Sequence, residues 1–204
     1  MDCTPAHGTE KWAGSYDGRM DGLRARLTRR SLLIGGVGAT VAICVGCDGG
    51  VTDDGPAGGG VLDLGELQPL LDSLGDNGRV YLPDARGYLV AYPADKVEAA
   101  RAVYPPSIQP SLDLGLLLLS QKCPHLGCRV PDCASSGWFE CPCHISRFSG
   151  VGEFRDGVSP RGMDLIPLVA LAGQRVGADV GAVVPGLDRD VDVTGQEPAG
   201  AHCV

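Results

Sequence analysis

The chain has 204 residues and a formal net charge of −8, with 44% hydrophobic and 21% charged residues. That length suits one domain plus appended segments, and the composition is ordinary for a globular protein. The main body is acidic, because residues 48–204 carry 11 basic and 21 acidic side chains. This charge, and the lack of a basic aromatic patch, argue against a nucleic-acid partner. The 31 glycines, 15 prolines and only 5% aromatic residues favour a turn-rich β protein.

Residues 24–47, RARLTRRSLLIGGVGATVAICVGC, have the order of basic, apolar and polar regions that is typical of an export signal. Arg29 and Arg30 stand before Ser-Leu-Leu and a glycine-rich apolar run, so the segment resembles a twin-arginine signal. Such signals export proteins that are already folded, often around a cofactor inserted in the cytoplasm. An ordinary core helix after a basic loop is the alternative interpretation.

The apolar run from Ser31 to Cys47 is 17 residues long, at the short edge of what spans a bilayer. No good small-x-small cleavage site ends it, so we expect an uncleaved membrane anchor; lipoprotein cleavage before Cys47 is the alternative. The glycine-rich stretch that follows is predicted to be a flexible tether. The expected layout is a cytoplasmic tail at residues 1–30, a signal or transmembrane anchor at 31–47, the tether at 48–60 and an exported domain at 61–204.

Beyond the tether, short apolar runs alternate with turn residues, which is typical of a compact β domain. Residues 93–104 predict a helix, because the segment opens with proline and is rich in alanine, lysine and glutamate. The polar tail, residues 185–204, is predicted to be irregular. The segments predicted as strands are 79–82, 87–92, 114–121, 137–142, 163–171 and 181–186.

Two short segments carry the residues with the most specific chemistry. QKCPHLGCRV at residues 121–130 and FECPCHISRF at 139–148 each contain two cysteines and one histidine. A tetrahedral zinc site could use two cysteines and two histidines of this set. Zinc would leave two neighbouring cysteines without a role, and the alternative is a centre that uses all six residues.

The spacing C-x-H-x-x-C followed by C-x-x-H resembles the motif pair of Rieske iron–sulfur proteins. The resemblance covers about residues 80–170 and is strongest from Gln121 to Pro167. It implies an all-β Rieske fold, in which an antiparallel β-sandwich base carries an inserted cluster-binding subdomain of two ligand loops. The cluster-binding part is expected at residues 121–160, and one N-terminal membrane helix is expected to precede the domain.

The resemblance implies one Rieske-type 2Fe–2S cluster as the cofactor. In the family's pattern, Cys123 and Cys141 would hold one iron. His125 and His144 would hold the other iron. Histidine ligation raises the potential above that of an all-cysteine cluster, and each imidazole keeps a second nitrogen that can gain or lose a proton. Because this chemistry suits quinol oxidation, His144 is the residue predicted to take part in catalysis.

The two remaining cysteines of the segments, Cys128 and Cys143, match the pair that forms a disulfide between the ligand loops in the family. This pair and the export signal distinguish the chain from oxygenase-type Rieske domains, which are cytoplasmic and generally lack the pair. The resemblance therefore implies a single bond that ties the two loops together.

Other positions near the ligands match the family or depart from it. Ser146 matches a serine whose hydroxyl donates to a cluster sulfide, and Gly127 matches a turn glycine. Residues 157–160 stand where the family has a third loop that covers the cluster. Ile145 stands where glycine is common, and Phe148 where high-potential members have a tyrosine. Loss of that tyrosine's hydrogen bond lowers the potential, so Phe148 predicts a lower-potential centre, unless it serves core packing alone.

The chain resembles most the iron–sulfur subunit of bacterial cytochrome bc-type quinol–cytochrome c reductases. This implies a single-pass protein of the cytoplasmic membrane, exported by the twin-arginine route, with the cluster domain on the outer face. It would take an electron and a proton from a membrane quinol and pass the electron to a haem. The implied partners are cytochrome b-like and cytochrome c-like subunits, and catalysis would belong to the assembled complex.

Two alternatives remain from the sequence. The small Rieske subunit of an arsenite oxidase-like molybdoenzyme is also exported and can keep the cysteine pair. A non-redox binding module that uses the same fold is the other, although all four ligand positions are intact.

The residues left over give weaker indications. Cys133 and Cys203 both lie in the exported part, where they could form a second disulfide or remain two free thiols. His202 lies in the terminal tail and is predicted to have no specific role. Trp138 and Phe139 lead into the second ligand segment and are predicted to be core anchors.

Overall fold

The computed structural model describes residues 60–204. The predicted cytoplasmic tail, the membrane anchor and nearly all of the tether lie outside the described residues. Between residues 60 and 204, no helix combines the length and the apolar character that a bilayer crossing requires.

The described part is built mainly of short antiparallel strands. Its helices are α1 Leu67–Ser73, α2 Val97–Val103 and α3 Gln109–Asp113, with 3-10 turns at Ala94–Lys96 and Pro106–Ile108. Its strands are β1 Val61–Glu66, β2 Arg79–Leu82, β3 Gly87–Ala91, β4 Leu116–Ser120, β5 Phe139–Cys141, β6 Ser146–Phe148, β7 Phe154–Asp156, β8 Leu168–Leu171 and β9 Arg175–Asp179.

The strands form three antiparallel sheets of three strands, with the orders β1–β9–β8, β2–β3–β4 and β5–β6–β7. The first two sheets share a core of aliphatic side chains and make the sandwich base. β1 pairs with β9, so that Val61 lies opposite Asp179 and the first and last strands of the described part lie side by side in one sheet.

The apolar strand β4 separates two cores, because successive side chains of a strand point to opposite faces. Leu116 and Leu118 pack into the core of the base. Leu117 and Leu119 pack into a second core, which contains the aromatic rings of Phe139 and Phe148. All four leucines are fully buried. One continuous apolar strand thus supports the base on one side and the ligand-bearing part on the other.

The third sheet, β5–β6–β7, is inserted in the chain between β4 and β8 of the base. Both Cys-His segments belong to this insertion. The structure therefore has the predicted arrangement of an antiparallel base with an inserted subdomain.

The predicted strand at 79–82 is confirmed with the same bounds, and those at 87–92, 114–121 and 137–142 are confirmed with narrower bounds. The prediction for 181–186 is wrong, since Val184 makes only a single bridge, to Leu165. Within 163–171 the strand begins at Leu168, because Leu165 makes only isolated bridges, to Leu119 and to Val184. The helix at 93–104 is confirmed as a 3-10 turn followed by α2.

Residues 185–204, hereafter the C-terminal strap, form neither strand nor helix, as predicted. The strap nevertheless packs along the inserted subdomain. The Gly186 amide donates to Asp164 at 3.1 Å, and the Gly150 amide donates to Gln196 at 2.5 Å. The strap ends in a covalent bond between Cys203 and Cys133, which decides between the two alternatives that the sequence left open.

Candidate metal centre

Two of the six cysteines in the described part of the chain have no disulfide partner. Cys128 is bonded to Cys143 and Cys133 to Cys203. The remaining two, Cys123 and Cys141, are free thiols and both are buried. The two cysteines that were predicted from the sequence to be metal ligands are therefore the two of these six that are not part of a disulfide.

The first ligand loop follows β4 and turns back within a few residues. The Cys123 amide donates to the Cys128 carbonyl at 2.7 Å, and the Gly127 amide donates to the Cys123 carbonyl at 2.8 Å. Gly127 has a φ of 78°, a left-handed conformation that favours glycine. The turn brings the amides of His125 and Leu126 to the Cys123 sulfur, to which they donate hydrogen bonds.

The second ligand loop is the tip of the β5–β6 hairpin. Cys141 pairs with Ser146 as the last pair of the two strands. The Ile145 amide donates to the Cys141 carbonyl at 3.1 Å and closes the turn. This turn places Cys141 in the core and leaves His144 exposed at the tip.

The fold brings the two loops together. The ring centroids of His125 and His144 are 4.8 Å apart, with the ring planes at 85°. Beneath them, the thiols of Cys123 and Cys141 share a hydrogen bond. The two loops thus bring the two proposed cysteine ligands into contact with each other, and the two proposed histidine ligands likewise.

The Cys128–Cys143 disulfide joins the two loops directly, as the family resemblance implied. Its Cα atoms are 6.6 Å apart, within the usual range for a disulfide. Its sulfurs lie within 4.8 Å of the Cys141 sulfur. The bond therefore fixes the distance between the loops immediately beside the free thiols.

Comparison with known proteins agrees with this geometry. Residues 97–167 match the Rieske 2Fe-2S domain family. The chain is 32% identical over 152 residues to the cytochrome b6-f complex iron-sulfur subunit of Cyanothece sp. (strain PCC 7425). The aligned region covers 66% of this chain and 81% of that relative. The chain belongs to the Rieske family.

Other relatives of this Rieske protein match over shorter stretches. The cytochrome b6-f complex iron-sulfur subunit of Synechococcus sp. (strain JA-3-3Ab) is 42% identical over 48 residues, 24% of this chain and 28% of the relative. The ubiquinol-cytochrome c reductase iron-sulfur subunit of Rhodobacter capsulatus is 42% identical over 62 residues, 28% of this chain and 31% of the relative. The chain thus spans less than a third of the length of these two relatives.

A Rieske domain carries one 2Fe–2S cluster, and the residues at this site fit such a group. Burial raises the pKa of the Cys123 thiol to about 11. At neutral pH this thiol therefore stays protonated, unless a cation compensates the buried thiolate. The two buried sulfurs, the half-buried ring of His125 and the exposed ring of His144 match the two kinds of ligand in a Rieske centre.

Ser146 is held where the family resemblance predicted a functional hydroxyl. Its buried Oγ accepts the amide hydrogens of Val158 at 3.2 Å and Ser159 at 3.0 Å. Both bonds use the oxygen as an acceptor, so the hydroxyl proton remains to be donated. These bonds also fix the third loop, residues 157–160, against the second ligand loop.

The two departures from the family pattern have different surroundings. Ile145 has a φ of 55° and is 52% exposed beside His144. A branched side chain in this left-handed conformation is unusual, which explains why glycine is common there. Phe148 is fully buried in β6 and packs against Phe154, with their ring centroids 6.4 Å apart.

Sequence reasoning missed a polar cluster beneath the second ligand loop. Glu140, next to Cys141, is 1% exposed and accepts hydrogen bonds from Ser136 Oγ and His202 Nδ1, each at 2.7 Å. The prediction that His202 has no specific role is therefore wrong. The one signal in the sequence was Cys203, which sets the strap close enough for His202 to reach Glu140.

Proposed function

We propose that this Rieske protein is the electron-transfer subunit of a membrane quinol–cytochrome c reductase. It would accept one electron, together with a proton, from a quinol and pass the electron to a cytochrome haem. The observation that carries the proposal is the pair of imidazoles at the exposed tip, above two buried thiols that have no disulfide partner. The names of the relatives support this class of complex.

Cys123 and Cys141 would hold one iron of the cofactor, and His125 and His144 would hold the other. When bound, a 2Fe–2S cluster with this ligand set supplies a one-electron acceptor of raised potential. The buried thiols exclude water from their side of the site, whereas the imidazoles lie towards solvent.

His144 is the residue best placed to exchange a proton with a substrate. Its ring is exposed, and the nitrogen that does not face the metal site can hold or release a proton there. The Cys128–Cys143 disulfide and the bonds to Ser146 hold its loop in place, so the ring is presented in one orientation.

The surface around His144 is suited to dock against an apolar site. Leu126, Ile145 and Val158 are 71%, 52% and 51% exposed, and each belongs to one of the three loops at the tip. Since exposed apolar residues that cluster mark interaction sites, this tip is the surface that would approach the quinol.

The N-terminal residues supply the proposed location. The twin-arginine motif would export the folded domain, residues 31–47 would anchor it, and the tether would let it move on the outer face of the cytoplasmic membrane. This layout agrees with a subunit that meets both a quinol site and a more distant haem.

Purification of the membrane complex through a tag on the full chain tests this function. We expect cytochrome b-like and cytochrome c-like subunits to co-purify, and quinol-dependent cytochrome reduction to be lost in His144→Ala. Co-purification with a molybdenum-containing subunit, with arsenite-dependent reduction, would instead support the small subunit of an arsenite oxidase-like enzyme.

A further inference from the structure

The end of the C-terminal strap covers the chain segment that connects the two ligand loops. Cys203 is bonded to Cys133, in the middle of that segment and 70 residues away in sequence. Ser135 Oγ donates to the Ala201 carbonyl at 2.6 Å, and the Ala199 amide donates to the Ser136 carbonyl at 2.8 Å. The strap is therefore attached to residues 133–136 both by a disulfide and by hydrogen bonds.

The last strap residues also contact both strands of the hairpin that bears the second ligand loop. Glu140 on β5 and Arg147 on β6 are direct cross-strand partners, one pair below Cys141 and Ser146. The amides of Cys203 and Val204 donate to Glu140 Oε2 at 2.7 and 3.0 Å. Arg147 donates to the Val204 carbonyl at 2.5 Å. Two consecutive strap residues thus hold the strand pair beneath the loop.

The Glu140 carboxylate is the centre of this contact. It is buried, and four donors satisfy it: the Ser136 hydroxyl, the His202 ring and the two strap amides. A buried carboxylate is stable only when its oxygens are hydrogen-bonded, and bonds to a charged acceptor are stronger than neutral ones. Removal of the strap would leave three of these four bonds unmade.

A second buried glutamate anchors the strap further from the ligands. Glu153 Oε1 accepts the amides of Val193 at 3.1 Å and Thr194 at 3.3 Å, and Glu153 also pairs with Arg155 at 2.9 Å. This anchor has the same chemistry as the one at Glu140, but it lies on the segment that leads into β7 and not on the β5–β6 hairpin. It therefore provides a matched control.

We propose that residues 199–204, locked by the Cys133–Cys203 disulfide, form a clamp that positions the second ligand loop through Glu140 and Arg147. The clamp rests on the proposed function in one respect, the assignment of Cys141 and His144 as ligands. Glu140 and Arg147 are positioning residues, since they hold the ends of the loop and do not contact the metal site themselves.

The clamp acts by limiting the local opening of the β5–β6 hairpin. A β5–β6 hairpin of three residue pairs is too short to be stable alone, so its loop depends on outside contacts. The Cys128–Cys143 bond fixes the tip, and the clamp fixes the base of the same hairpin. A bond that closes a long chain segment limits such opening.

Hydrogen–deuterium exchange on the full chain tests the clamp. The variants are C133S/C203S, which removes the lock, and E140Q, which keeps the lock and removes the charged acceptor. We expect the amides within residues 142–147, all but Pro142, to exchange about tenfold faster in both variants, whereas those within residues 123–128, all but Pro124, stay unchanged. In the cluster-loaded protein, iron should also be lost faster to a chelator.

E153Q is the control: it should speed exchange at residues 192–194 and leave residues 142–147 unchanged. Wild-type exchange at 142–147 in both C133S/C203S and E140Q would overturn the clamp. A wild-type chain that holds no iron would count against the proposed function instead, because the exchange comparison does not require the cluster.

Discussion

At the scale of single residues, the chemistry of the centre depends on what surrounds each ligand position. Cys123 and Cys141 lie in the core, where burial raises the pKa of the Cys123 thiol, and His144 lies at the surface. The Ser146 oxygen accepts two amide hydrogens of the third loop, and its own hydroxyl proton is therefore available to be donated elsewhere. Phe148 follows on the same face of β6, two residues further along.

Phe148→Tyr should raise the midpoint potential of the centre. A tyrosine hydroxyl directed at a ligand sulfur would donate a hydrogen bond that stabilises the reduced, more negative cluster. A bond of about 1 kcal/mol corresponds to an increase of roughly 40 mV for one electron. A redox titration followed by electron paramagnetic resonance measures it.

Phe154→Tyr is the control for added polarity, since Phe154 contacts Phe148 but belongs to the neighbouring strand. Its potential should stay at the wild-type value. An equal increase in both variants, or none in Phe148→Tyr, would mean that Phe148 serves packing alone.

At the scale of elements, the third loop supports the second ligand loop by close contact. A Cβ atom on Gly157 would lie 2.2 Å from the Ile145 carbonyl oxygen and 2.6 Å from the Ser146 Cα, and φ at Gly157 is +99°. Gly157→Ala should therefore force the two loops apart and weaken the bonds to Ser146. We expect the free energy of unfolding to fall by about 3 kcal/mol or more, as measured by chemical denaturation.

Gly173→Ala is the control that separates the steric clash from the cost of placing a residue other than glycine in a left-handed backbone conformation. Gly173 has a φ of +73°, and a Cβ there would meet nothing within 4 Å. In Gly173→Ala the free energy of unfolding should fall by only about 1–2 kcal/mol. Equal losses in the two variants would show that the loop contact contributes little.

The strap should add stability that is lost in acid. The hydrogen bond from Arg155 holds the pKa of Asp192 below its usual value. Because the pKa is lower in the folded state, this stabilisation is complete above the unfolded value of about 3.9 and disappears as the pH falls through the folded pKa.

Asp192→Asn should therefore lower the melting temperature at pH 7, and the difference from wild type should shrink as the pH falls below about 4. Melting curves of both proteins between neutral pH and about pH 3 measure this. A difference that stays constant over that range would rule out the ion pair as its source.

The proximity of the proposed ligands could be predicted from the sequence further than the fold could. A local turn holds Cys123, His125 and Cys128, so their spacing along the sequence determines how close they lie in the structure. The β1–β9 pairing joins the first and last strands of the described part, which lie far apart in the sequence, and no local pattern signals it. The burial of Glu140 depends on strap residues far along the chain, so a lone glutamate beside a ligand gave no warning.

At the scale of the whole molecule, the proposed function requires the domain to reach two partners. Replacement of residues 48–60 by a rigid proline-rich segment should leave the spectrum of the cluster intact but slow electron transfer from quinol to cytochrome. Turnover of the membrane complex measures this. Unchanged turnover would favour a fixed relay over a moving domain.

The proposed function depends on one 2Fe–2S cluster held by Cys123, His125, Cys141 and His144. Iron analysis and electron paramagnetic resonance of the reduced full chain test it most directly. We expect iron at the stoichiometry of one cluster per chain and a Rieske-type resonance, both lost in His144→Ala. Zinc in place of iron in the wild-type chain, or the same resonance in His144→Ala, would contradict the assignment.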